Sequence, residues 1–186
     1  AKKVVMTIHK ITNEISKLQL SDKLKEKNNI LKLWYIEAVN RILQKEGRIE
    51  LYIDSIKEII YNLIEPENRA TSFNTIEIAA LMLNAVKVYL NILTWIGETD
   101  KQIELQEVYF KNLIENEFWI KEKNIMKKDF REEDEYANVQ MLYTLRLSFT
   151  CVSDDVPNKI VDSLFKELDT PYGLREVSKH YKNYNG

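Results

Sequence analysis

Apolar residues recur along this chain every three or four positions, the period of a helix with one buried face, and no strand-like alternation is sustained. The pattern predicts seven helical segments. The first, about residues 3–18, places Val4, Ile8, Ile11, Ile15 and Leu18 on one stripe. The second, about residues 29–45, does so with Ile30, Trp34, Ala38 and Ile42, and Gly47 closes it. The third, about residues 49–64, carries Ile49, Ile53, Ile56, Ile60 and Leu63 and stops before Pro66. The fourth, about residues 75–95, is apolar on most sides and ends at Gly97. A helix of that kind has to be enclosed, which assigns it to an inner layer covered by the second, third and fifth. The fifth, about residues 99–119, has Ile103, Gln106, Phe110, Leu113 and Glu117 on its inner line, and Thr99 with Gln102 reads as a capping box. The sixth is about residues 136–149. The seventh, about residues 154–168, carries Val156, Ile160, Leu164 and Leu168, with Asp154 or Ser153 as cap and Pro157 in the first turn.

The connections are short, so successive helices are antiparallel neighbours. The fold class is therefore all-α, an array of antiparallel α-hairpins closing as a solenoid or a toroid. Residues 1–186 read as one helical domain with an irregular loop over residues 169–186. No repeat of the ankyrin or tetratricopeptide type is visible.

Composition narrows this further. Only four Gly and three Pro occur in 186 residues, too few for a turn-dense β-sandwich or barrel. Abundant Ile, Leu and Val with a net charge of −2 exclude a disordered chain. That charge gives no general pull toward nucleic acid or an anionic membrane. The lysines of Lys23–Lys27 are interspersed with other residues and read as a solvated linker. Residues 76–96 are long enough to span a bilayer, but Glu77, Asn84, Lys87 and Asn91 favour a buried helix of a soluble protein. The start, Ala-Lys-Lys-Val-Val, suggests a processed or excised end rather than a signal peptide. The single Cys151 cannot form an internal disulfide, which fits a reducing, cytoplasmic setting and a buried thiol rather than a nucleophile. No metal-ligand spacing and no nucleotide or serine-hydrolase motif occurs, so no cofactor is inferred.

The helical pattern breaks at Thr170–Ser178, TPYGLREVS, where Pro171 and Gly173 interrupt it. This segment resembles TPYGLRTLS of the glucosidase domain of glycogen debranching enzymes, the amylo-α-1,6-glucosidases. The resemblance extends upstream through residues 158–169 and on into Tyr181–Gly186. Ile76–Ala85, IEIAALMLNA, is similar to the family's VEINALWYNA, and Leu33–Val39, LWYIEAV, to its LWFIHAV. Ala1–Thr7 is similar to the opening of a family helix. Asn138 and Gln140 lie where the family has Arg-Pro-Asn-Gln, although Ala137 stands in the Arg position.

The resemblance implies an (α/α)6 toroid acting on α-glucan branch points by inversion. Inversion needs an acid and a base carboxyl roughly 6.5–9.5 Å apart, with room for a water between them. The family's acid-bearing TWMDA segment has no counterpart here: residues 64–74 contain Glu65 and Glu67 but no Asp. The similar letters LTWIG at Leu93–Gly97 follow the helix instead of preceding it. The family's second carboxylate lies beyond a His-Gln-Gly stretch that this sequence does not reach. A twelve-helix ring needs roughly 300 residues at ordinary helix and loop lengths. The expectation is a fragment or reduced relative of the α-1,6-glucosidase domain, inactive by itself, with a helical scaffold or α-glucan-binding module as the alternative. A hydrolase completed by a second chain is a further rival.

No residue is assigned as catalytic. Glu77, Asn84, Gln140, Tyr172 and Arg175 are the candidates for holding a glucosyl unit. Glu77 and Asn84 are two helical turns apart and share a face; the alternative is a helix-start carboxylate and a satisfied buried amide, which for Glu77 is the favoured reading. Tyr172 and Arg175 either touch a ligand or order their own loop. Trp34 and Tyr35 could stack on a sugar or belong to the core. Asp134 and Glu135 could be a carboxylate pair or an acidic helix cap. The apolar flanks of a partial ring predict a homo-oligomer or the remainder of a larger chain as partner.

Overall fold

The computed structural model of the chain describes residues 22–46, 52–65, 73–133 and 135–180. The first predicted helix, Gly47, Pro66, Glu67 and Tyr181–Gly186 lie outside them. Helices dominate, as an all-α reading requires. Contacts divide the chain into two compact units, Ala1–Ser72 with Leu81–Glu107, and Phe73–Ala80 with Val108–Gly186.

In the first unit, α1 (Asp22–Glu46) begins earlier than its periodicity predicts, so Lys23–Lys27 is helical rather than a linker. Its buried line also differs from the expected one. Ile30, Trp34, Ala38 and Ile42 are half-buried, whereas Leu33, Ile36, Val39 and Asn40 are buried, with Tyr35 and Glu37 beside them. Counting only apolar residues hides a face that also buries partnered polar groups. Helix α2 (Ile53–Ile64) buries Ile56, Ile60 and Leu63 as predicted and half-buries Ile53, while Ile49 lies outside the described residues. Its last turn gives way to Glu65 at ψ 140°, the extended backbone favoured by a residue before proline.

Helix α3 (Ile76–Ile96) is long and apolar enough to cross a membrane by length and composition, and 78% of its most apolar window is buried within the protein. It ends in the predicted glycine. Gly97 has φ +75°, its N–H donates to Thr94 O, and Glu98 N–H donates to Leu93 O, which together satisfy the last carbonyls of the helix. The next helix, α4 (Lys101–Leu113), is capped by Asp100 and not by Thr99. Asp100 Oδ1 accepts from Ile103 N–H at 3.2 Å, and its backbone carbonyl accepts from Glu104. A carboxylate one residue later wins the first turn, so the Thr99–Gln102 box does not form.

The second unit takes up the rest of α4, which continues as a π-turn over Ile114–Phe118. Phe110, Ile114 and Phe118 are buried, whereas Leu113 is half-buried and Glu117 exposed. Two small antiparallel hairpins were not predicted. Strand β1 (Trp119–Ile120) pairs with β2 (Ile125–Met126) through a turn in which Asn124 has φ +54°. Strand β3 (Asp169–Thr170) pairs with β4 (Gly173–Leu174).

The sixth predicted helix is largely absent. Residues 135–138 are irregular, Val139–Leu142 is a 3-10 turn, and α5 (Tyr143–Arg146) is a single turn. The cause is long-range: Val139 N–H donates to Glu176 O at 2.8 Å and Ser178 N–H to Ala137 O at 3.0 Å, drawing this backbone into a ladder. Helix α6 (Val156–Leu168) buries its predicted stripe and has Pro157 in its first turn. Its cap position is Asp155, not Asp154 or Ser153, and no side chain bonds the cap.

Candidate functional site

The start of α3 is fastened in the second unit by main-chain bonds. Ile76 N–H donates to Lys128 O, Phe130 N–H donates to Asn74 O, and Thr75 bridges Asp129. Asp129 is buried and bound by Arg131 through backbone N–H, Nε and Nη2. Burial alone would raise its pKa, but the bonds and charge of Arg131 hold the carboxyl below its usual value. That makes Asp129 an anchor for the segment and a poor proton donor.

Glu77, in the first turn of α3, is half-buried. Its carboxylate accepts from the Tyr143 hydroxyl, whose pKa is raised by burial first and by Glu77 second. Tyr143 opens α5 and lies three residues after Gln140. The segment holding Gln140 is tied down on two sides. The Asn138 amide donates to Met126 O at 2.9 Å, and Asn138 bridges Val177. Gln140 follows two residues after Asn138, in the 3-10 turn, and Arg175 lies two residues before Val177. Six buried polar atoms have no hydrogen-bond partner among the described residues, and three of them lie on these two segments: Asn138 Oδ1, Gln140 Oε1 and Arg175 Nε. Leaving such atoms unsatisfied costs about 1–3 kcal/mol each, so each marks a place where a ligand or water completes the bonding.

The loop that follows α6 is ordered by its own side chains. Thr170 Oγ1 donates to Gly173 O and accepts from Tyr172 N–H, and Gly173 adopts φ +120°, a conformation suited to glycine. Arg175 donates from Nη2 to Asp169 O at 3.4 Å and from its backbone to Leu168 O. Tyr172 stands fully exposed at the tip.

A family model for amylo-alpha-1,6-glucosidase matches residues 69–186. The chain belongs to that family. No curated protein and no solved structure matches it. Within the matched span lie the TPYGLR loop, the Asn138–Gln140 segment and α3 of this amylo-α-1,6-glucosidase relative; the LWYIEAV segment of α1 falls outside it.

Asn84 is placed in the first unit, apart in its bonding from Glu77. It is fully buried, and its Nδ2 donates to Glu37 Oε2 at 2.8 Å. Glu37 is 2% exposed and accepts from Arg41 Nε on its other oxygen. Sequence reasoning passed over Glu37, though two signals were available. It interrupts an apolar run on a core helix, and Arg41 sits one turn on, at ion-pair spacing. Tyr35 is a core residue whose hydroxyl is pushed up to about 12 by burial, while Trp34 is half-buried. Glu135 pairs with Lys123 at 3.0 Å, and Asp134 lies outside the described residues. Glu65 is exposed. No group of three or more His, Cys, Asp or Glu side chains among the described residues is placed to hold a metal ion.

The second unit also contains an open cavity of about 360 Å³ beside the π-turn, with Trp119 and Met126 in its wall. Periodicity gave no hint of it, because the π-turn and the β1–β2 hairpin that frame it do not show in the apolar pattern.

Proposed function

We propose that this chain is a framework portion of an α-1,6-glucosidase domain that holds a glucosyl unit of an α-glucan and does not hydrolyse it alone. The observation that carries the reading is the trio of unpartnered polar atoms on Asn138, Gln140 and Arg175. They sit on the two segments that carry the family resemblance. An acceptor on Asn138, an acceptor on Gln140 and a donor on Arg175 suit the hydroxyls of a sugar, each of which donates and accepts. Glu77, bound to Tyr143, supplies a carboxylate in the same unit.

Two observations support the reading of inactivity. Asp129 is clamped by Arg131 with its pKa lowered, the wrong direction for an acid that must keep a proton at neutral pH. The sequence holds no segment like the family's acid-bearing TWMDA. A cytoplasmic setting belongs to the same reading and is supported by the lone thiol of Cys151, buried and donating to Ala80 O.

Glucose release from a branched dextrin tests the first half. The chain by itself gives none above the blank, and release that disappears in Glu77→Gln overturns the reading. Electrophoresis through glycogen-containing gels tests the second half. Migration is retarded, and Gln140→Ala and Arg175→Ala restore the mobility seen without glycogen.

A further inference from the structure

The cavity beside the π-turn has no role in the function proposed above, and its lining is unusual for a packing defect. An empty defect in a core is apolar. Here the floor is apolar, with Ile114, Met126 and Val156 all buried, but the rim is not. Two acidic residues, Glu115 and Asp155, and two basic ones, Lys121 and Lys159, complete the lining. Two charges of each sign cancel, so the rim selects for neither an anion nor a cation. Asp155 is already engaged by Lys159 at 2.7 Å and by the Ser153 hydroxyl at 3.2 Å, which fixes its oxygens as acceptors. Trp119 supplies an aromatic wall at the point where the π-turn gives way to β1. About 360 Å³ falls within the lower range of small-ligand sites.

An aromatic wall, an apolar floor and a charge-balanced rim rich in donors and acceptors suit a neutral, polyhydroxylated ring. We propose that this cavity is a second sugar subsite, taking one glucosyl unit of a neutral α-glucan. The cavity chemistry asks only for a neutral polyol; the choice of glucan rests on the reading above. Met126 links the two places. It lines the cavity, and its carbonyl accepts from Asn138, whose own Oδ1 has no partner among the described residues. Both subsites therefore lie within one unit, joined by one strand.

Titration of the full chain with maltotetraose, read by calorimetry and by tryptophan fluorescence, tests this. The expected result is saturable binding with a fluorescence change that is lost in Trp119→Phe and kept in Trp95→Phe. Trp119→Ala weakens binding about tenfold, the scale of one lost aromatic contact. Glu115→Gln and Lys121→Met alter exposed rim residues that leave the core intact, and each weakens binding about threefold. Inorganic phosphate does not compete. Wild-type affinity in Trp119→Ala, Glu115→Gln and Lys121→Met overturns the subsite, as does phosphate displacement or a fluorescence change that survives Trp119→Phe. Retarded migration that depends on Gln140 and Arg175 but not on Trp119 sinks this proposal alone. Glucose release by a chain that still binds through Trp119 sinks only the claim of inactivity.

Discussion

Glu37 shows how a single side chain can set the register of a core. Its two oxygens are taken by Arg41 from the same helix and by Asn84 from α3. A buried carboxylate is tolerated only when its lone pairs are used, so each partner depends on the others. Asn84→Asp replaces the donor with a second carboxylate 2.8 Å away. The expected loss at neutral pH is about 2–4 kcal/mol in urea unfolding, and it shrinks in acid as the introduced carboxyl takes up a proton. A loss that does not depend on pH would rule out the charge argument. Tyrosines in the same unit act at the other end of the scale. Tyr61 donates to Asp100 Oδ2 at 2.8 Å, and its pKa is pushed to about 12 by burial, then by that bond and charge. Tyr35 and Tyr89 are raised to the same level, burial leading in each. The unfolded chain releases these protons near pH 10 while the folded one keeps them, so stability is full below pH 10 and is lost as pH rises toward 12. Tyr61→Phe removes one of these titrations, and its stability falls less steeply across that window.

At the scale of elements, what was legible was what periodicity controls. The apolar α3 with its glycine stop, the stripe of α6 and the later turns of α2 follow from local sequence. What was not legible was set by competition or by distant backbone. Residues 136–149 carry a helical pattern, but the main chain of Ala137–Val139 pairs with residues 176–178 and so does not form the first helical turn. The β1–β2 hairpin is two residues long on each side, too short to show alternation; Asn124, an amide suited to positive φ, was its one signal. The start of α4 was a contest between adjacent caps. Asp100→Ala removes the cap on Ile103 and the acceptor of Tyr61 together, for an expected loss of about 2 kcal/mol. Thr99→Ala changes stability by less than about 0.5 kcal/mol, as a surface substitution does. Equal losses at the two positions in thermal or urea unfolding would return the cap to Thr99. The candidate site divides the same way. Motif resemblance brought out Gln140 and Arg175, whereas the fact that one ladder unites their segments needed the fold.

Across the molecule, the units do not follow the order of the chain. The second draws on Phe73–Ala80 and Val108–Gly186, with twenty-seven residues of the first between them. Those first eight residues carry much of its organisation. They supply the Thr75–Asp129 bridge, the bonds of Ile76 and Asn74 to the segment at Lys128 and Phe130, the carbonyl that accepts from Cys151, and Glu77 for Tyr143. Phe73 meets Phe110 edge-on at 4.9 Å. The family match, residues 69–186, spans both pieces, so it encloses the whole second unit. A piece consisting of residues 108–186 keeps α6 and both hairpins in its sequence but loses the strand partner, the aromatic contact and the carboxylate. It is expected to lack fixed side-chain packing, with near-UV dichroism flattened and amide resonances collapsed, whereas residues 69–186 retain both. The unmatched remainder would then be dispensable for the site at Gln140 and Arg175. A well-dispersed spectrum from residues 108–186 alone would show instead that the start of α3 is an accessory to that unit and that the candidate site forms without Glu77.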